Sequence, residues 1–114
     1  YPTLAELAGL ETPEAVQGRS FARLLDVPGA DSAREDAFIQ VGSNFCLRTR
    51  QWAYMSYNAG EKGNSEFMLY DMENDPQQYT NLAGKSAYAE VEKGLKKRLT
   101  ERIAQARSAN RSAQ

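Results

Sequence analysis

Four polar residues have side chains suited to binding an anion. Arg19, Arg48 and Arg50 supply guanidinium groups, and Asn44 adds an amide near the last two. Guanidinium groups bind tetrahedral oxyanions through paired hydrogen bonds, so these residues could face a ligand that carries such a group. The alternative is that the arginines are solvated or form ion pairs at the protein surface, which is the usual environment of this residue type.

Three carboxylates alternate along the chain, at Asp71, Glu73 and Asp75. This is the spacing of the first ligands in a calcium-binding loop. The rest of that loop is missing, because Pro76 stands where it needs glycine and Leu82 where it needs a bidentate glutamate. We therefore predict a structural turn in which Asp71 bonds nearby backbone amides, and no metal site.

Aromatic residues are concentrated at Trp52, Tyr54 and Tyr57. Flat apolar rings suit the faces of sugars, so these side chains could form a surface on which a sugar stacks. The competing interpretation is packing between a sheet and a helix. We predict packing.

Composition limits the possible functions. The chain has 114 residues, 14 basic and 15 acidic, with a formal net charge of -1, which leaves no field to hold nucleic acid or an anionic membrane. It contains no histidine, the commonest general base and transition-metal ligand, and its single Cys46 cannot form an internal disulfide. No apolar run approaches the roughly 18 residues that a membrane span needs, so we expect neither a nucleic-acid nor a membrane partner.

Short β-prone runs predict four strands, over residues 37–41, 44–50, 52–57 and from 67 to 70. In the second run Phe45 and Leu47 alternate with Cys46 and Arg48, as in a half-buried strand. The turn before the third run contains Arg50 and Gln51, neither of which favours a positive φ, and this leaves its type open.

A long helix is predicted after Gly84. Its apolar stripe consists of Tyr88, Val91, Leu95, Leu99, Ile103 and Ala106. Lys93, Lys96, Lys97 and Arg102 lie largely away from that stripe. Ser86 is a candidate N-cap, and the chain beyond Arg107 is expected to fray. The predicted fold class is α+β, a four-stranded antiparallel sheet with the long C-terminal helix across one face.

The first 35 residues show short helical patterns and a linker-like composition in place of the strands and long helix predicted for the rest of the chain. A helix over residues 1–8 should end at Gly9, a short helical turn follows near Phe21 and Leu24, and residues 26–36 resemble a linker. Because a helical pattern is already under way at Tyr1, we expect a fragment of a longer protein. We predict three regions: residues 1–35, the end of a preceding domain with its linker; residues 36–107, the sheet and helix; and a frayed tail, 108–114.

Three collinear stretches resemble the C-terminal region of sulfatases, the formylglycine-dependent sulfuric ester hydrolases. Residues 69–83 read L-Y-D-M-E-N-D-P-Q-Q-Y-T-N-L-A, like a family segment near the C-terminus. Residues 1–10 (Y-P-T-L-A-E-L-A-G-L) with 17–21 (Q-G-R-S-F) resemble the segment that closes the catalytic domain. Leu47-Arg48-Thr49 followed by Trp52 resembles the hairpin that precedes the first segment. The family resemblance points to iduronate-2-sulfatase-like and related polysaccharide sulfatases.

This resemblance implies a parent enzyme that hydrolyses sulfate esters with a formylglycine nucleophile and a bound calcium ion, both in the missing catalytic domain. Cys46 and Arg50 have the spacing of the family's C-x-P-x-R maturation motif, but Arg48 replaces the proline, so we interpret Cys46 as an ordinary strand residue. No catalytic residue or cofactor is expected in these 114 residues. In the family the loop before this strand can approach the active-site rim, so Asn44 and Arg48 are the predicted substrate-binding residues.

The expected partners are the chain's own catalytic domain and a sulfated carbohydrate, and a bacterial parent would be periplasmic or secreted. Apolar residues of the first region, including Leu4 and Leu7, would lose their burial partners in a separate fragment, so self-association through the leading helix is also predicted. Two alternatives remain at this stage. One is a free-standing binding or interaction module, and the other is the C-terminal piece of a phosphoesterase of the alkaline phosphatase superfamily.

Overall fold

The computed structural model describes residues 1–16, 18–27, 29–30, 34–58 and 66–111. These residues form two compact units. The first consists of Tyr1–Arg34 with Gln105–Gln114, and the second of Glu35–Ala104.

The first unit contains two short helices, α1 (Pro2–Leu7) and α2 (Ala22–Asp26). The predicted end of the leading helix is confirmed, because Gly9 adopts a φ of +67° just after the helix. The amide of Leu10 then donates to the carbonyl of Ala5 at 2.8 Å, which closes the turn as in a Schellman motif.

A side-chain hydrogen bond joins α1 to the start of α2. The hydroxyl of Thr3, which is buried, accepts from the amide of Phe21 at 3.1 Å. Among the described residues of this unit, the buried hydrophobic side chains are those of Ala5 and Ala22. Larger side chains remain exposed, namely Tyr1, Leu4, Leu7, Leu10, Phe21, Leu25 and Val27.

The second unit is built on a four-stranded antiparallel sheet in the order β1-β2-β3-β4. The strands are β1 (Asp36–Val41), β2 (Asn44–Thr49), β3 (Trp52–Tyr57) and β4 (Glu66–Asp71). All four predicted strands are confirmed, as is the α+β class.

Two-residue turns join the first three strands, and they differ in type. Gly42 takes a φ of +59° while Ser43 does not have a positive φ, the pattern of a type II′ hairpin. Neither Arg50 nor Gln51 has a positive φ. In that second turn the side chain of Thr49 closes the hairpin, because its hydroxyl accepts from the amide of Trp52 at 2.9 Å.

The long helix α3 (Ala89–Arg111) covers one face of the sheet. The core consists of Phe45, Leu47, Tyr54, Leu69, Leu82, Leu95 and Leu99, with Tyr88, Val91 and Ile103 of the predicted stripe packed against it. Leu47 and Leu69 are fully buried, and burying such a side chain stabilises the fold by about 1.5–3 kcal/mol. We call the other side of the sheet the outer face.

The start and the end of α3 differ from the sequence prediction. Residues Ser86–Tyr88 form a turn of 3-10 helix, and Ser86 makes no capping hydrogen bond, since the turn begins at Lys85. Glu92 holds this region instead, accepting from the amide of Gly84 at 2.9 Å. The helix continues past the expected limit to Arg111, and residues 112–114 lie outside the described residues. In the described part of the chain, no helix has the length and apolar character required to cross a bilayer.

A buried ion cluster fastens β1 to α3. The side chain of Asp36 is only 1% exposed, and its oxygens lie 2.8 Å from Arg98 and 2.6 Å from Arg102. Arg98 also contacts the exposed Glu35 at 2.9 Å. The prediction that Arg102 points away from the packed side of the helix is therefore wrong, because its long side chain reaches back to the sheet. A carboxylate as buried as Asp36 would cost several kcal/mol without these partners.

Candidate functional site

The two predicted substrate-binding residues lie on the outer face of the sheet. Residues two apart in a strand share a face, so Asn44, Cys46 and Arg48 line up along the outer side of β2. The strand register adds Ala37, Ile39 and Val41 from β1, Ala53, Met55 and Tyr57 from β3, and Glu66, Met68 and Tyr70 from β4. The outer face is thus largely apolar, with Asn44 at one end of β2 and Arg48 at the other.

Asn44 holds the end of β3. Its side-chain oxygen accepts from the amide of Asn58 at 3.1 Å. Asn58 has a φ of +53°, a left-handed conformation that asparagine tolerates better than most residues. Asn44 therefore fixes the point at which the chain leaves the sheet.

Arg48 supports the turn between β2 and β3. Its Nη1 group donates to the carbonyl of Thr49 and, at 2.9 Å, to the carbonyl of Arg50. The side chain is half-buried and bends toward this end of the sheet. Arg50 is fully exposed and lies 3.9 Å from Glu73, a surface pair of the kind that stabilises a fold by at most about 1 kcal/mol.

The four polar candidates are divided between the two units. Arg19 belongs to the first unit, whereas Asn44, Arg48 and Arg50 belong to the second. Arg19 uses its backbone carbonyl to accept from the guanidinium of Arg34. Substrate binding by Asn44 and Arg48 stays a prediction.

A shallow groove of about 180 Å³ runs beside Asn44 on the outer face. It is lined by Ile39, Val41, Asn44, Phe45, Cys46, Met55 and Tyr57. Asn44 is the only residue of this lining with a side-chain amide, so the groove offers mainly apolar contact.

Cys46 occupies the middle of β2, opposite Ile39 and Met55. Burial raises the pKa of its thiol, and the nearby positive charge of Arg48 lowers it by a smaller amount. The thiol is therefore protonated at neutral pH, and a thiol in this state is a weak nucleophile.

The three aromatic candidates do not share a surface. Tyr54 is fully buried on the core face, where it stacks on Phe67 with ring centroids 5.9 Å apart. Trp52 packs edge to face on Tyr88 at 6.1 Å. Tyr57 lies on the outer face, with its hydroxyl 3.5 Å from the sulfur of Met55. The prediction of sheet and helix packing is thus confirmed for Trp52 and Tyr54.

The carboxylate of Asp71 organises the turn that follows β4. One oxygen accepts from the amides of Glu73 and Asn74 at 3.1 Å, and the other accepts from the Asn74 side chain at 2.9 Å. The side-chain bond from Asn74 is the main reason that the pKa of Asp71 is lowered, and burial acts in the opposite direction. Asp75 continues the pattern by accepting from the amides of Tyr79 and Thr80. In the part of the chain that is described, no three acidic or cysteine side chains are arranged to hold a metal ion.

Asn81 and Asp36 have structural roles that the sequence interpretation missed. The side chain of Asn81 accepts from the amides of Leu69 and Ala83, both at 3.0 Å. Its position inside the stretch 69–83, which resembles a sulfatase segment, gives no separate signal of this role. The linker-like composition of residues 26–36 gives no sign of the role of Asp36, although Arg98 and Arg102 are spaced four residues apart and so present two cations on one side of a helix.

A family model and two curated proteins match most of this chain. Residues 1–105 match the family model described as N-sulphoglucosamine sulphohydrolase, C-terminal. Arylsulfatase K of Bos taurus is 29% identical over 114 residues, which cover 87% of this chain and 20% of that protein. N-acetylglucosamine-6-O-sulfatase of Bacteroides thetaiotaomicron is 30% identical, with 88% of this chain and 19% of that protein covered. The chain thus spans about a fifth of the length of these curated relatives.

Solved structures share the fold. A protein bound to its substrate D-glucosamine-2-N,6-O-disulfate superposes with a TM-score of 0.78 and 27% identity, over 94% of this chain and 23% of that one. A 2-O glycosaminoglycan sulfatase gives a TM-score of 0.76 and 25% identity, over 97% and 25%. A phosphonate monoester hydrolase of Agrobacterium radiobacter shares the fold at 23% identity and a TM-score of 0.68, over 91% and 24%.

The lowered pKa of Asp71 predicts how acid affects stability. An aspartate in an unfolded chain titrates near pH 3.9, so a lower value in the fold means that Asp71 stabilises the protein above that pH. This contribution should decline as the pH falls below about 4 and disappear below the folded pKa. Asp71→Asn should lower the free energy of unfolding at pH 7 and remove this part of the acid dependence, as measured by urea unfolding between pH 2 and 7.

Glu73→Gln is the matched control, since it removes one negative charge from the same turn without touching these backbone bonds. An Asp71→Asn protein with the same stability and the same acid dependence as the Glu73→Gln protein would contradict the assignment.

Proposed function

Because this chain belongs to the N-sulphoglucosamine sulphohydrolase C-terminal family, we propose that it is the C-terminal subdomain of an enzyme that hydrolyses sulfate esters. The observation that carries this proposal is the family match over residues 1–105, which includes both compact units rather than the sheet alone. A binding module that shared only the sheet-and-helix shape would not need the first unit to match.

The role of the chain itself is structural. The sequence has no histidine, and three of its carboxylates, on Asp36, Asp71 and Asp75, already bind arginines or backbone amides. Cys46 does not fit the formylglycine position, because it lies paired within a strand and Arg48 replaces the proline of the motif. The formylglycine and calcium of a sulfatase would accordingly be held by the part of the parent that precedes this chain, and the chain alone would be inactive.

The proposed substrate is a sulfated carbohydrate. Two relatives support this choice: one is named for a 6-O-sulfated N-acetylglucosamine, and another was solved with a disulfated glucosamine. Within this chain, Asn44 and Arg48 are the proposed contacts at the rim of the substrate site. Arg48 has guanidinium donors on Nε and Nη2 besides the Nη1 group that supports the turn, and such donors match a sulfate group.

An assay of the full-length protein tests the proposed reaction. The protein that contains this chain, matured with its formylglycine, should release nitrophenol from 4-nitrophenyl sulfate, and the 114-residue chain should not. Turnover of a phosphate or phosphonate ester without turnover of the sulfate would contradict the proposal and favour the phosphoesterase alternative. Absence of all three activities in the matured, folded protein would favour a binding module.

The rim contacts predict a change in KM. In the full-length enzyme Arg48→Ala should raise KM for a sulfated disaccharide by roughly ten- to 150-fold, the loss expected for one charge-assisted hydrogen bond, and leave 4-nitrophenyl sulfate turnover nearly unchanged. Arg50→Ala is the control, since it removes an exposed arginine two residues away. Equal KM values for the Arg48 and Arg50 variants, in proteins of equal thermal stability, would show that Arg48 serves only the turn.

A further inference from the structure

The two edge strands of the sheet, β1 and β4, differ in the hydrogen bonding of their outward backbone groups. Along β4 the polar backbone groups that point away from the sheet are bonded to the segment that follows. The amide of Leu69 donates to Asn81, and its carbonyl accepts from the amide of Leu82 at 2.8 Å. The Asn81 side chain also donates to the carbonyl of Phe67 at 3.3 Å. This edge is closed to a further strand.

The β1 edge has no such closure. In a two-residue hairpin the residues beside the turn, Val41 and Asn44, exchange hydrogen bonds, so every second residue of β1 bonds to β2. By this alternation the amide and carbonyl groups of Phe38 and Gln40 point away from the sheet. Among the described residues, no backbone hydrogen bond is made to either of them from outside the sheet.

β1 also lacks the features that protect edge strands from pairing. Residues 37–41 read A-F-I-Q-V, without a charge, a proline or a glycine. The register with β2 runs from Asp36 to Val41 without a bulge. Ile39 and Val41 are 49% and 70% exposed on the outer face. An uncharged, regular, apolar edge of this kind is a template for another strand.

We propose that this edge pairs with the same edge of a second copy of the chain, forming a two-fold symmetric dimer with a continuous eight-stranded sheet. The pattern of β1 is self-complementary. With the two-fold axis at Ile39, Phe38 of one copy lies opposite Gln40 of the other, and these are the residues whose backbone groups point outward. The two pairs related by the axis then form four backbone hydrogen bonds.

Side chains and charges agree with this register. The two Ile39 side chains lie directly opposite each other on the outer face, and Ala37 lies opposite Val41, so apolar groups meet apolar groups. Asp36 lies opposite Gly42, and no like charges face each other within the paired strands. A partner strand with charged residues opposite Ala37, Ile39 and Val41 would lose these apolar contacts. A second copy supplies apolar residues at all three positions, and this favours self-pairing over an unrelated strand.

The size of the contact sets the expected affinity. One pair of six-residue strands buries less than the roughly 1,200 Å² of a stable interface, so the dimer should be weak, with a Kd of about 0.01–1 mM. The proposed dimer does not depend on the proposed sulfatase activity. The exposed residues of α1 and α2 are the competing surface for self-association.

Sedimentation equilibrium of the 114-residue chain and three variants tests the proposal. Gln40→Pro removes an outward amide but none of the bonds to β2, and Ile39→Lys places two like charges at the axis. Each should raise Kd at least tenfold. Leu25→Lys is the control, because it adds the same charge at an exposed leucine of α2 and should leave Kd unchanged. Circular dichroism establishes that each variant is folded.

Amide exchange gives a second, residue-level measurement. Raising the protein concentration through Kd should slow exchange at Phe38 and Gln40 severalfold, while Ile39 stays equally protected by β2. A wild-type chain that remains monomeric up to about 1 mM would overturn the proposal. So would a dimer that Leu25→Lys dissociates and Gln40→Pro does not, since the contact would then be the helical surface of the first unit.

Discussion

The side chain of Asn81 bonds the outward backbone groups of β4, as a fifth strand would. The closure of this sheet edge, and with it the packing of the second unit, depends on these hydrogen bonds. A sheet edge presents unpaired amides and carbonyls, and Leu69 is completely buried, so its amide would lose a hydrogen bond that water cannot replace. Asn81 supplies the acceptor for that amide and a donor for the carbonyl of Phe67. Leu82, the next residue, can then enter the core beneath α3.

The rest of the segment after β4 is also held by side-chain to backbone hydrogen bonds. Asp71 and Asp75 together accept hydrogen bonds from four backbone amides, which satisfies amides that no strand or helix pairs. Gln78 takes a φ of +60° in this segment, a conformation that costs a residue with a side chain about 1 kcal/mol or more. Such a backbone persists only where surrounding bonds determine it. Residues 69–83, one of the stretches that resemble sulfatases, thus contain several side-chain to backbone hydrogen bonds.

The function that we propose for the chain agrees with the roles of these side chains. Asp71, Asp75 and Asn81 accept from backbone amides of β4 and the segment after it, and Arg98 and Arg102 bind the buried Asp36, so these polar side chains stabilise the fold. The outer face carries Asn44 and Arg48 on a single strand, held by the packing of the core behind it. This arrangement agrees with the proposal that the chain contributes to the rim of an active site located elsewhere in a longer protein.

Much of the fold could be predicted because its signals are local. The alternation in β2 and the apolar stripe of α3 each follow from a single periodicity, and both were confirmed. What could not be predicted depends on partners distant in sequence. The buried ion pairs of Asp36 could not be predicted, because its partners Arg98 and Arg102 are more than 60 residues away in the sequence. The faces occupied by Trp52 and Tyr57 likewise became clear only with the strand register.

The most direct test of this account is amide exchange at Leu69 in variants of Asn81. Asn81→Ala removes the acceptor, so the Leu69 amide should lose most of its protection, and the free energy of unfolding should fall by about 1–3 kcal/mol. Asn81→Asp keeps the acceptor oxygen and loses the donor, so it should retain protection at Leu69. Full protection of Leu69 and unchanged stability in Asn81→Ala would contradict the claim that this side chain closes the sheet.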